Sequence, residues 1–179
     1  MITADQLRAI MPGAKSRADQ FEAPLNDAMA AYGIDTPARQ AAFLAQIAHE
    51  SGQLRYTREL WGPTPTQLGY EGRADLGNTQ PGDGARFKGR GLIQITGRAN
   101  YAACGAALGL PLLDQPELLE QPDGACKSAA WFWKTNGLNE LADVGEKAQI
   151  AICRRINGGT NGLADRQAFW ERARAALGA

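Results

Sequence analysis

Residues 42–52 read Ala42-Phe43-Leu44-Ala45-Gln46-Ile47-Ala48-His49-Glu50-Ser51-Gly52. Ala41, Leu44, Ala45 and Ala48 recur at helical spacing, and Phe43 with Ile47 widens the apolar face. The pattern predicts a helix buried on most of its sides. Thr36-Pro37 supplies an N-cap and a first-turn proline, and Gly52 a stop. His49, Glu50 and Ser51 therefore fall at the C-terminal end of an apolar rod, where a side chain can face a cleft.

Helical periods also lie on both sides of this stretch. Thr3-x-x-Gln6 is a capping box opening a short helix that Pro12-Gly13 ends. Phe21, Leu25, Ala28, Met29 and Tyr32 predict a second helix over about 16–32, with Pro24 as a kink or as its true first turn. Downstream, helices are expected from Ala99 to about Leu108, from Asp123 or Gly124 through Trp133, from Gly145 to Arg155, and from near Asp165 to Leu177. Residues 53–91 have little period and many breakers, including Gly62-Pro63 and Pro81-Gly82-Asp83-Gly84, and read as irregular chain with a short hairpin at most. Leu92–Thr96 reads as a short strand with Ile93 and Ile95 on one face and Gln94 and Thr96 on the other. The expectation is one α+β, mostly helical domain over 1–179, with an irregular or β lobe at about 53–97.

Composition removes several kinds of function. Nineteen Lys+Arg balance nineteen Asp+Glu, so the chain carries no overall basic footprint for nucleic acid, although Arg86, Lys88, Arg90 and Arg98 form a local basic group. A single histidine forbids a zinc cage of two or three histidines, and Gln53 stands where a His49-Glu50-x-x-His motif needs its second histidine. Cys104, Cys126 and Cys153 form no CxxC pair and read as reduced, buried side chains. The N-terminus lacks a charged segment followed by an apolar one, which argues against a signal peptide and for synthesis in the cytoplasm. No apolar run approaches about 18 residues, so no membrane insertion is expected. No phosphate loop, metal site or cofactor motif is present in the sequence.

Carboxylates remain as the simplest catalysts. Glu50 follows the apolar run 43–48, and partial desolvation there would suit a general acid. The plain alternative is a helix-terminal glutamate paired with Arg55 or Arg58. Glu59 is the candidate partner. In a continuous helix it would lie about 13.5 Å further along, but a chain turning at Gly52 can bring both carboxyls across one cleft. Inverting glycosidases keep their carboxyls roughly 6.5–9.5 Å apart to admit a water. Glu71, Asp75 and Asp83 are rival bases. Trp131-Phe132-Trp133 cannot share one helical face, so at least one ring is expected in the core, with a sugar platform as the alternative.

Residues 42–52 resemble the acid-bearing helix of glycoside hydrolase family 19. Lys88-Gly89-Arg90-Gly91-Leu92-Ile93-Gln94-Ile95-Thr96-Gly97 resembles the same family's Gly-Arg-Gly-x-Ile-Gln segment, and Ile156-Asn157-Gly158-Gly159 with Asp165-Arg166 resembles its later loop and arginine. The three motifs occur in family order across residues 16–177. The resemblance implies a lysozyme-like fold and an inverting hydrolase of β-1,4 bonds between amino sugars. Its shortness is most similar to the bacteriophage endolysins, which implies peptidoglycan as substrate, with chitin as the alternative and a catalytically silent wall-binding domain as a third. The implied roles are Glu50 as acid, Glu59 as base and Thr96 as holder of the attacking water. Gln94 and Asn157 would bind sugar groups, Arg166 would bridge the two carboxylates, and Tyr101 and Trp61 would line subsites. A monomer acting on glycan chains is expected, with no cofactor, nucleic acid or membrane partner. From the host cytoplasm it would reach the periplasmic wall after release by a holin or similar route. The run Leu60-Trp61-Gly62-Pro63-Thr64 departs from the family pattern and keeps Glu71 open as the base.

Overall fold

The computed structural model describes residues 1–179. Ten α-helices follow one another: α1 (Ala4–Ile10), α2 (Arg17–Ala31), α3 (Pro37–Glu50), α4 (Pro65–Leu68), α5 (Asp83–Arg86), α6 (Arg98–Leu108), α7 (Pro122–Thr135), α8 (Leu138–Ala142), α9 (Gln149–Asn157) and α10 (Leu163–Leu177). None is long and apolar enough to cross a membrane.

Local chemistry accounts for the helix starts. Thr3 and Gln6 form the expected reciprocal capping box of α1. Thr36 Oγ1 accepts from the Arg39 amide at 3.2 Å, with Pro37 in the first turn of α3. Pro24 sits inside α2 rather than at its start. Two short helices lie in the stretch expected to be irregular, α4 with its own Thr64/Gln67 capping box and α5, and α8 falls where no element was assigned.

Helix α3 is the axis of the fold. Its residues Ala41 to Ala48 are all buried. It packs most extensively on α10, while α2 lies on α7. Phe43 meets Trp133 edge-on, with ring centroids 5.3 Å apart. The Trp133 indole N–H donates to Asn139 Oδ1 at 2.9 Å, and the Asn139 amide donates to the Tyr32 carbonyl at 3.0 Å. Both polar groups in that core are thus satisfied. Phe169 and Trp170 pack from α10 into the same core.

A second, smaller apolar cluster joins Phe87, Ile95, Tyr101, Cys104, Leu112 and Leu119. It lies under the irregular lobe. The expected strand over 92–96 is instead a tight turn: Arg90 and Ile95 exchange two backbone hydrogen bonds of 3.1 and 2.7 Å, and only isolated bridges pair Arg58 with Arg90 and Arg90 with Ile95. Gln94 at the turn has φ 59°. The side chains nevertheless sort as the alternation suggested, with Ile93 and Ile95 buried and Gln94 and Thr96 partly exposed. Three of the four cations of the local basic group go into structural contacts, Arg86 donating to the Leu113 carbonyl, whereas Lys88 lies over the Trp61 ring. Arg90 pairs with Glu120, and Arg98 with buried Asp83. All three cysteines are free and buried.

Phe43→Ala is expected to cost about 3–5 kcal/mol, read from urea unfolding, because the void beside Trp133 cannot close. Asp83 gives a pH-dependent test. Arg98, bonded through two nitrogens at 2.8 and 2.6 Å, holds its carboxyl below the usual carboxylate range. A depressed folded value contributes stability above the unfolded value of about 4, and that contribution is lost as pH falls through the folded value. Asp83→Asn should therefore destabilise at pH 7, and its deficit against the wild type should shrink below about pH 4.

Candidate active site

Three consecutive left-handed residues reverse the chain after α3: Gly52 (φ 57°), Gln53 (φ 63°) and Leu54 (φ 63°). Two of them are not glycine, so the turn is held by its surroundings. Leu54 is buried, and its amide donates to the buried Ser51 hydroxyl at 2.8 Å. Gln53 Oε1 accepts from the Gly13 amide at 2.6 Å. The amides of Arg55 and Tyr56 both return to the Ser51 carbonyl, at 3.0 and 2.8 Å. The chain then runs back beside residues 89–91, with the Gly91 amide on the Thr57 carbonyl at 2.8 Å and the Glu59 amide on the Gly89 carbonyl at 2.9 Å.

This reversal brings Glu50 and Glu59 to one open cleft of about 330 Å³, lined also by Tyr56, Arg58, Leu60 and Gln94. Glu50 is a partly exposed end-of-helix residue whose carboxylate is bonded by the Arg166 guanidinium. Its setting is thus less apolar than the run 43–48 suggested, and its partner is neither Arg55 nor Arg58. Arg166 is itself buried and also donates to Gln46 Oε1 at 2.5 Å and to the Asn161 carbonyl at 3.3 Å. Of the two carboxylates it bonds only Glu50, so the expected bridge between both is not formed, and its burial removes it from the sugar-contacting surface.

Glu59 is held by neutral donors. Its Oε1 accepts from the Gly89 amide at 2.6 Å, and its Oε2 from the Gln67 side-chain amide at 3.1 Å. Gly89 packs closely on the turn: a Cβ there would stand 2.8 Å from Gln94 Oε1 and 3.3 Å from Thr96 Oγ1, so the Gln94 side chain would have to move. The same close approach places Gln94 and Thr96 beside the Glu59 support. Gln94 Nε2 donates to the Gly91 carbonyl at 2.9 Å, and Thr96 Oγ1 donates to the Gln94 carbonyl at 2.9 Å. Burial and the negative charge of Glu59 together push the Tyr70 phenol up.

The rival carboxylates are occupied elsewhere. Glu71 accepts from the amides of Gly82 and Gly84 at 2.6 and 2.8 Å and shapes the turn before α5. Asp75 pairs with Arg73, and Asp83 is buried on Arg98. No three His, Cys, Asp or Glu side chains gather as a metal site.

Tyr101 is not a subsite residue. It is fully buried, donates to the Lys88 carbonyl at 2.6 Å and accepts from Arg90 at 3.1 Å. Asn157 lines neither the cleft nor the groove beside it. Its amide donates to the Asn161 carbonyl at 3.1 Å and its Oδ1 accepts from the Gly159 amide at 2.8 Å, which shapes the loop between α9 and α10. That loop and the first turn of α10 rest on the end of α3: His49 Nδ1 lies 2.7 Å from Asp165 Oδ2, and a Cβ on Gly162 (φ 70°) would stand 2.2 Å from the imidazole. Trp61 is partly exposed beside Glu59, with Tyr70 6.4 Å away and Lys88 Nζ 5.7 Å above its ring. Among residues expected chiefly in the core, Trp131 and Phe132 instead line a groove of about 360 Å³ with Gln94, Thr96, Asn100 and Ile156, while Trp133 is core. Gln94 lines both cleft and groove, so the two are neighbours.

A helical, lysozyme-like fold with two held carboxylates lining one open cleft defines a glycoside hydrolase. The profile of glycoside hydrolase family 19, described as chitinase class I, matches residues 27–144. A family 19 domain-containing protein of Haemophilus influenzae is 37% identical over 155 residues, spanning 72% of this chain and 74% of that protein. An Arabidopsis thaliana endochitinase is 38% identical over 135 residues, spanning 74% of this chain and 44% of that protein. The chain thus spans under half the length of that plant relative. Among solved structures, chitinase C of Streptomyces griseus superposes with a TM-score of 0.74 at 28% identity, covering 99% of this chain and 76% of that one. A bacterial family 19 chitinase superposes at 0.75 with 25% identity, covering 99% and 95%. The chain belongs to glycoside hydrolase family 19.

Replacing Glu71 by Ala should lower the thermal midpoint while leaving kcat on a chitin oligomer within about twofold, since its oxygens serve only backbone amides. A dead but folded Glu71→Ala protein would return the base role to this residue.

Proposed function

We propose that the chain hydrolyses β-1,4 bonds in polymers containing N-acetylglucosamine, with inversion at the anomeric carbon. The observation that carries this reading is the shared cleft of Glu50 and Glu59 with Gln94 at its edge. Glu50 gives its proton to the leaving glycosidic oxygen, and Arg166 then neutralises the carboxylate left behind. On the opposite face of the sugar, a water attacks the anomeric carbon while Glu59 takes its proton. Thr96 already donates its own proton to the Gln94 carbonyl, so its lone pairs are free to accept from that water. Trp61 on one side and the Trp131–Phe132 groove on the other offer apolar faces to flanking sugars. After release, solvent exchange returns the proton from Glu59 and restores that of Glu50.

Chitin-type substrate is supported by the relatives named endochitinases and chitinases. A second reading, a peptidoglycan-cleaving endolysin acting on the periplasmic wall after release by a holin or similar route, is favoured by charge. Arg58 lines the cleft, Arg55 stacks 5.1 Å from the cleft residue Tyr56, and Lys88 lies over Trp61. Arg58 is paired with Glu120 at 3.2 Å, whereas Arg55 and Lys88 have no carboxylate partner within 4.0 Å. Chitin is neutral, whereas muramic acid and its peptide stems carry carboxylates, which such a rim attracts, most strongly at low salt.

Release of sugar from colloidal chitin and clearing of permeabilised Gram-negative cells, assayed side by side, separate the two substrates. Binding to either polymer without cleavage would identify a silent wall-binding domain. Glu50→Gln and Glu59→Gln should each lose about 10²–10⁴ in kcat with the fold retained. The wild-type pH–rate profile should be bell-shaped. Near-normal turnover by either variant would remove that residue from the mechanism.

A further inference from the structure

Gln67 is six per cent exposed, and all four of its hydrogen-bonding positions are used. Its Oε1 accepts from the amides of Gly62 and Thr64, at 3.1 and 2.8 Å. Its Nε2 donates to the Leu60 carbonyl at 2.8 Å and to Glu59 Oε2 at 3.1 Å. This pattern fixes which way the amide faces. Turned over, it would set NH₂ against two N–H groups and its oxygen against a carbonyl and a carboxylate. The backbone of residues 60–64 therefore dictates that a neutral N–H donor points at Glu59. Gln67 is also the third residue of α4 in the Thr64 capping box, so the fold of the Trp61–Gln67 segment and the orientation of the carboxylate are settled by one side chain.

We propose that Gln67 is the positioning residue for the Glu59 base: it holds Oε2 while the Gly89 amide holds Oε1, leaving the remaining lone pairs of the carboxylate to face the attacking water. The inference rests on the hydrolase reading with Glu59 as base. The two carboxylates are then supported by different means. Glu50 has a cation, Arg166, able to neutralise the charge it gains on giving up a proton. Glu59 has uncharged dipoles, which orient it without satisfying its charge. The other titratable or charged groups around it are Tyr70 and Lys88, with Glu50 and Arg58 lining the same cleft. None of these bonds Gln67.

Gln67→Met keeps length and loses the donor. It should lower kcat on a chitin oligomer about tenfold with KM within about twofold, and move the acidic limb of the kcat profile to higher pH, because a carboxylate deprived of a donor keeps its proton longer. Gln67→Glu should move the limb further by adding a like charge. Thr64→Ala removes the cap of the same helix but no bond to Glu59, and should leave the limb in place. An unmoved limb in Gln67→Met, or the same displacement in Thr64→Ala, overturns the proposal. One measurement needs no variant. In the wild-type protein the Gln67 side-chain amide resonances should shift with the titration that sets the acidic limb, and resonances that stay still overturn the proposal even if the variants do not fold. If the wild type cleaves neither chitin nor sacculi, the hydrolase reading fails, while the amide titration still reports whether Gln67 holds Glu59.

Discussion

The buried Arg166 guanidinium is the constraint on which the site depends. It sits on α10 and reaches α3, where it bonds Gln46 and Glu50. A charge taken out of water must be paired and hydrogen-bonded, or it costs several kcal/mol. Here its partners are the carboxylate at the cleft, an amide oxygen one helical turn earlier and the Asn161 carbonyl in the preceding loop. The most extensive helix–helix contact of the molecule, α3 on α10, is thereby coupled to the position of Glu50. Such a pair adds little net stability compared with apolar packing, but it fixes register. Sliding one helix along the other would strand the cation.

Around this pair the two carboxylates are placed by opposite kinds of structure. Glu50 ends a rod whose last eight preceding core positions are buried, so its location follows from helix geometry. Glu59 lies in chain with almost no regular structure and is located by a sequence of individual hydrogen bonds: the Ser51 hydroxyl, the Gly89 and Gly91 amides, and the Gln67 side chain. Residues 53–97 can therefore be irregular and still precise. Gln94, with its left-handed backbone, belongs to the same economy, being held by the Arg90–Ile95 pair on either side of it.

This contrast decides what could be read from the amino acids alone. Helices α1, α2, α3, α6, α7 and α10 were legible from apolar spacing and breakers, with side-chain caps adding to α1 and α3. The burial of α3 and the free, buried thiols were equally plain, whereas Glu50 and Glu59 were candidates only, with a plain helix-end alternative for the first and Glu71, Asp75 and Asp83 as rivals to the second. The strand over 92–96 was misread because alternation of Ile93 and Ile95 is shared by a strand and by a turn that seats both on the small core. Tyr101 was assigned to sugar by resemblance, whereas packing gives it to the second core; Asn157, assigned in the same way, is exposed and bonded within its own loop. Arg166 was named from the motif, but its single carboxylate partner depends on a contact across 116 positions of sequence. Gln67 was missed although Thr64-Pro65-x-Gln67 is a capping-box signature. The signal marks a helix start, and nothing in it says that the amide also meets a carboxylate eight residues earlier.

Burial pushes the Cys104 thiol up to about 12 and the Cys126 thiol higher still, and Cys153 is equally shielded from solvent. Thiolate is the reactive form, so Cys104 and Cys126 resist maleimide through their raised values, and Cys153 is shielded by its burial. A cysteine introduced at an exposed position such as Leu60 or Leu68 would be the sole reactive handle. A fluorophore placed there could follow the cleft edge as glycan binds, with the natural thiols left in place.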